Sequence, residues 1–187
     1  MDQNEERALQ LFRERVNEFR HKQLNEPHAQ INLYDLLIEL GQEDTNITTT
    51  LIRLVDDPGA SDMAYWMFIA IKGMAQRNGL SYRHCQKFIR FVERFAATDG
   101  EEWYKCINVL QASPEGERTL LKFAENRLLK KQDIPDWRWL AFVIISEILT
   151  RGRTEIPISL KNKLRTEMEN ENDELRRIQL REIVARF

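Results

Sequence analysis

Cysteine, histidine, proline and glycine are all scarce in this chain: among 187 residues there are two, three, five and seven of them respectively. Cys85 and Cys106 have neither the number nor the spacing of a disulfide framework or a zinc knuckle. Both fall on apolar stripes, where they read as reduced core thiols. His21, His28 and His84 lie far apart, and none has a second His three or four residues away to put two ligands on one helical face. No metal and no cofactor is expected. The few glycines form no phosphate-cradling loop, Gly-x-Ser-x-Gly is absent, and no serine or cysteine has a base placed beside it by sequence. The chain is therefore not expected to be an enzyme, and no catalytic residue is named.

Long apolar runs and a charge surplus of either sign are missing as well. The longest apolar stretch, Trp139 to Ile145, has seven residues against roughly 20 for a helix that crosses a bilayer. The start, Met1-Asp2-Gln3-Asn4-Glu5-Glu6, is acidic where a secretory signal would be basic and then apolar, so a cytoplasmic location is expected. Lys and Arg total 28 and Asp and Glu 30, a net charge of −2. Such a balance supplies no field for a polyanion, and nucleic acid is not an expected partner.

What is present is helical periodicity from end to end. With 42% apolar and 31% charged residues, the chain can bury one core, and a single domain over 1–187 is expected. Leu9, Phe12, Val16 and Phe19 fall three or four apart. Leu33, Leu36, Leu37 and Leu40 form a second stripe, with Gly41 read as the left-handed residue that closes it. Ile47, Leu51, Leu54 and Val55 stop before Pro58-Gly59. Ser61 or Asp62 then caps a fourth helix bearing Trp66, Ile69, Ala70 and Met74, which closes at Gly79. Ser81 caps a fifth (Cys85, Phe88, Val92, Phe95), and Gly100 separates it from a sixth (Trp103, Cys106, Ile107, Leu110). Ser113-Pro114 opens a seventh with Leu120, Leu121, Ala124, Leu128 and Leu129. The eighth, about Trp137 to Arg151, is apolar nearly all round and so reads as covered on most sides. Leu160, Leu164 and Met168 mark a ninth helix, and Leu175, Ile178 and Val184 a tenth. No β-alternation survives.

A repeat runs through this pattern. Leu51-Ile52-Arg53-Leu54-Val55 matches Phe88-Ile89-Arg90-Phe91-Val92 at an offset of 37, and Arg127 continues the series. Asp62, Asp99 and Asp136 keep the same step of 37, one carboxylate at or near the start of every second helix, where amides and the positive helix end attract it. Trp66 to Gly79, Trp103 to Gly116 and Trp139 to Gly152 are thirteen residues each, as if one aromatic anchored each helix pair at one depth. On these residues the chain resembles the HEAT-like helical repeat family over about 46–187. The resemblance implies an all-α fold of about ten helices in antiparallel pairs, a short right-handed α-solenoid. Residues 1–43 read as amino-terminal capping helices and 44–187 as repeats of about 37 residues. The last pair lacks the turn Asp and the Trp and reads as a cap.

Three functions follow as expectations. A solenoid offers a concave face made by its second helices, and Tyr65, Lys72, Glu102, Tyr104, Asn108, Trp137 and Arg138 are the positions expected to meet a protein partner there. By general type, without a motif, a small acidic helical protein is similar to the immunity proteins with which bacteria neutralise their own toxins. That likeness implies occlusion of a basic toxin domain, such as a nuclease, by carboxylates. The alternatives are a peptide-binding scaffold and, from the run Asp133 to Trp139, a helical-repeat DNA glycosylase, in which an acid between tryptophans would stabilise a cationic base. The acidic stretch Glu167, Glu169, Glu171, Asp173, Glu174 reads as a solvated turn between helices or a surface for a basic partner.

Overall fold

The computed structural model describes residues 2–25, 32–96, 102–128 and 137–187, without the side chains of Gln23, Glu102, Leu128, Trp137, Arg138 and Trp139. The described residues form ten α-helices and no strand: α1 (Gln3–Asn25), α2 (Leu33–Glu43), α3 (Thr45–Leu54), α4 (Ala64–Asn78), α5 (Tyr82–Ala96), α6 (Glu102–Leu110), α7 (Pro114–Leu128), α8 (Trp137–Arg151), α9 (Ile158–Asn170) and α10 (Glu174–Val184). The all-α expectation holds.

Several ends form as the capping residues dictate. Ser81 Oγ accepts from the His84 amide at 3.3 Å and Ser113 Oγ from the Gly116 amide at 3.2 Å, with Pro114 filling the first position of α7. Gly79 (φ 75°) and Gly152 (φ 63°) follow the last residues of α4 and α8 in the left-handed region. Asp44 serves two helices at once, because its amide donates to the Leu40 carbonyl while its carboxylate accepts from the Ile47 amide at 2.9 Å.

Other readings are corrected. Gly41 does not close a helix; it lies inside α2, where a Cβ would sit 1.8 Å from the carbonyl oxygen of Ala70 in α4. Asp62 and Ser61 do not cap α4. They belong to a 3-10 turn, Pro58–Met63, capped by Asp57, and Met63 precedes α4 with no side-chain cap. Asp62 instead pairs with Arg13 of α1 at 2.9 Å, and that guanidinium holds its carboxyl below the usual range. The equivalent Asp99 and Asp136 lie outside the described residues, as do His28, Gly100, Leu129 and Asp133. Gly116 is helical within α7, packed on the Leu110 carbonyl, so it is no counterpart of Gly79 and Gly152. In α10 the buried residues are Leu180 and Ile183, while Leu175 and Ile178 are exposed. Glu167 and Glu169 belong to α9 rather than to a turn, and Asp173 caps α10 by accepting from the Arg176 amide at 3.0 Å.

One apolar core runs through all ten helices, from Leu9, Phe12 and Val16 to Leu180 and Ile183. Its largest enclosed side chains include Phe12, Phe88, Leu37, Leu51, Met67 and Ile71, each contributing about 1.5–3 kcal/mol by leaving water. Helix α8 is covered as expected, with Leu140, Ala141, Phe142, Ile144, Ile145 and Ile148 buried. Contacts follow chain order. Helices α3 and α4, α5 and α6, α7 and α8, and α9 and α10 pack as neighbours, and α1 on α3, α2 on α4, α4 on α6, α5 on α7 and α8 on α10 pack as next neighbours.

Candidate functional site

Ion pairs tie the odd-numbered helices to one another in a fixed sense. Glu5 of α1 meets Arg53 of α3 at 3.7 Å, and Asp56, just past α3, meets Lys87 and Arg94 of α5 at 3.4 and 3.6 Å. Glu93 of α5 meets Arg127 of α7, and Glu125 of α7 meets Lys163 of α9 at 2.8 Å. At every step the acid is on the earlier helix and the base on the later one. Each pair is partly exposed and worth about 0–1 kcal/mol; together they fix the register between successive odd helices.

The even-numbered helices carry the residues expected to bind. Tyr65 and Lys72 sit seven residues apart on α4, two turns that return to the same face. Tyr65 is 51% exposed, and its ring meets the edge of Trp66 at 4.9 Å. Lys72 donates to the Tyr34 hydroxyl of α2 at 2.6 Å and lies over that ring. On α6, Tyr104 is 45% exposed against Trp103, and half-buried Asn108 follows one turn later. Lys105 of α6 reaches the Tyr65 ring at 5.5 Å. The structure thus joins Lys72 to α2 and Tyr65 to α6. The side chains of Glu102, Trp137 and Arg138 lie outside the described residues.

Tyr34 and Lys105 belong to this surface and were not expected there. Their signal exists only once α2, α4 and α6 are known to be adjacent. Trp66 and Trp103 are half-buried rather than enclosed, each against an exposed tyrosine and the core. Trp66 also carries Arg20 of α1 at 5.0 Å. They serve as supports for Tyr65 and Tyr104 as much as anchors of the core. The side chain of Trp139 lies outside the described residues.

Among the described residues, the surface clefts include the following three. One of about 600 Å³ is acidic around an apolar floor, with Glu14, Glu18 and Glu43 beside Leu11, Leu40 and Ile47. A second, about 300 Å³, lies between α8 and α10 against Phe142, Glu147 and Glu182. The third, about 570 Å³, runs between α5 and α7.

Neither thiol is poised for chemistry. Both are fully buried, and burial pushes the Cys85 thiol up to about 11, with the Glu115 carboxylate adding to the rise and a Thr119 hydrogen bond opposing it. In the native protein, a disulfide reagent at neutral pH is expected to modify Cys85 and Cys106 only as fast as the fold opens; denaturant should release both at once. A fast stoichiometric reaction without denaturant would show that a thiol is accessible. Among the described residues no three His, Cys, Asp or Glu side chains are placed to hold a metal ion, and no helix is long and apolar enough to cross a membrane. Comparison of the chain with protein-family models, curated proteins and solved structures finds no match.

Proposed function

We propose that this chain is a non-catalytic protein-binding module, built as a short HEAT-like α-solenoid whose even-numbered helices form the contact face. The architecture is supported by helix packing that is densest between neighbours and next neighbours, and by the directional ion pairs along the odd helices, as a linear stack of units requires. The function rests on one observation: Tyr34, Tyr65 and Tyr104 stand 36%, 51% and 45% exposed on α2, α4 and α6. The Tyr65 and Tyr104 rings are pre-ordered against tryptophans, and Tyr34 and Tyr65 lie beneath lysines. Tyrosine loses little freedom on docking and offers both an apolar ring and a hydroxyl, which makes such positions frequent hot spots.

Within that function we favour inhibition, in which the module covers a basic toxin domain. The acidic cleft supports this reading, because Arg15 pairs with Glu18 at 2.8 Å while Glu14 and Glu43 remain without a cation. Carboxylates so placed accelerate capture of a basic surface. The test is capture on the immobilised chain from its source lysate, identification of the retained protein, and titration of that protein with variants. Tyr65→Ala and Tyr104→Ala are each expected to weaken binding about tenfold or more. Glu14→Lys with Glu43→Lys should slow association and flatten its salt dependence. Wild-type affinity in both tyrosine variants would remove the proposed face, and a retained protein without a basic surface would remove the inhibitor reading. Salt-sensitive retention on DNA in place of a protein would favour the repair enzyme.

A further inference from the structure

The groove between α5 and α7 belongs to the odd-numbered helices and takes no part in the face just described. Its floor is apolar, formed by buried Ile89 and Phe123, and its walls carry Arg90, Arg118, Lys122 and Arg127 against Glu93 and Glu115. The two carboxylates are already spoken for. Glu93 takes Arg127, and Glu115 takes Arg118 at 3.2 Å. Arg90 on one wall and Lys122 on the other are left exposed, each without a carboxylate. Two uncompensated cations in one groove repel each other and do nothing for folding. Elsewhere Asp56 answers both Lys87 and Arg94 and Glu125 answers Lys163, whereas these two cations face one groove with no acid left to take them.

We infer that the α5–α7 groove is a second binding site, and that it takes an acidic polypeptide segment whose carboxylates meet Arg90 and Lys122. Arg90 offers a planar fork to one carboxylate and Lys122 a mobile ammonium to another. Ile89 and Phe123 give the segment's apolar side chains a surface to cover, and Gln86 and Asn126 along the walls can bond its backbone. A nucleic acid fits less well. It carries a phosphate at every nucleotide, and Glu93 and Glu115 would confront that unbroken charge, whereas a peptide can set neutral residues opposite them. Tyr82, 65% exposed at the mouth, would cover one edge of the bound chain. The site is independent of the tyrosine face and stands or falls without it.

The experiment is a titration of the full chain with a fluorescein-labelled peptide of about twelve residues in which glutamate and leucine alternate, read by anisotropy. Its controls are the same peptide with lysine for glutamate, and an oligothymidylate of similar length. The glutamate peptide is expected to bind saturably below about 1 mM, and more weakly as salt is raised. Arg90→Glu and Lys122→Glu should each weaken binding about tenfold, and the pair together should abolish it. Both side chains are exposed and unpaired, so thermal unfolding should be unchanged. Tyr65→Ala should have no effect on this titration. The inference is overturned by no saturable binding, by binding that survives both charge reversals, or by an oligothymidylate or lysine peptide that binds as tightly as the glutamate peptide.

Discussion

Alanine at Gly73 is expected to lower the stability of the fold by about 3 kcal/mol or more, at the upper end of what overpacking costs. Helices α2 and α4 touch backbone to backbone through a reciprocal pair. A Cβ on Gly73 would fall 2.1 Å from the carbonyl oxygen of Ile38, and a Cβ on Gly41 would fall 1.8 Å from that of Ala70. In most overpacked cores a side chain turns away to make room. Here the obstacle is main chain on a helix, which has no rotamer to change, so the two axes must separate. Leu37 of α2 and Met67, Ile71 and Met74 of α4 would then lose close contact together. Gly41→Ala should act alike. Gly152→Ala is the control, since at φ 63° with nothing within 4 Å of the added carbon it suffers only the left-handed penalty of about 1 kcal/mol. Urea unfolding followed by circular dichroism would rank the three. A Gly73→Ala protein within about 0.5 kcal/mol of wild type would mean that the two helices are not in backbone contact.

That pair also shows where reading the sequence stops. A glycine after an apolar stripe has two uses, to end a helix or to let another helix come close, and both look the same along one strand of sequence. Gly79 and Gly152 have the first use, Gly41 and Gly116 the second. Only the partner helix tells them apart. The tenth helix fails for a related reason. Leu175 with Ile178 and Leu180 with Ile183 have identical spacing, so periodicity cannot say which pair faces α8 and α9, and the structure buries the second. Local signals fared better. Ser81, Ser113 and Pro114 act on amides within their own turn and need no knowledge of neighbours.

The candidate face divides along the same line. Exposure of Tyr65 and Tyr104 follows from their place beside the apolar stripe of their own helices. Tyr34 and Lys105 join only because α2 and α6 flank α4. The ion-pair series is intermediate. Asp56 and Glu93 are 37 apart, the same step that relates Arg53, Arg90 and Arg127, yet a charged residue on a helix gives no sign of its partner. The repeat is therefore legible as a rhythm of residues, while its physical content lies between helices: Arg53 and Arg127 are answered by the acid of the odd helix before, whereas at the middle step Asp56 takes Lys87 and Arg94 and leaves Arg90 aside.

The second large effect is expected at Arg153, in the segment after α8. Glu117 of α7 keeps a carboxylate 1% exposed. Arg153 answers it at 2.9 Å, and the Thr154 hydroxyl donates to its other oxygen. The same guanidinium donates to the Gln111 carbonyl at 2.6 Å, where Arg151 also reaches at 3.3 Å, and Gln111 Nε2 donates to Glu147 of α8 at 2.6 Å. One polar knot thereby holds the turn after α6, the first turn of α7 and the end of α8. Arg153→Ala removes the cation and leaves the charge buried, a change that costs about 3–5 kcal/mol in a dry interior. Because Arg153 is itself 50% exposed, water can approach the vacated side, and about 2–3 kcal/mol is expected. Glu117→Gln should cost about 1 kcal/mol, since a neutral amide can still accept from Thr154 and needs no counter-charge. Combining the two should cost much less than their sum, because the charge that Arg153 answers is already gone. Denaturant unfolding of the two single variants and the double variant measures that coupling. Strict additivity, or an Arg153→Ala protein as stable as wild type, would show that Glu117 is hydrated and that the knot does not clamp α7 to α8.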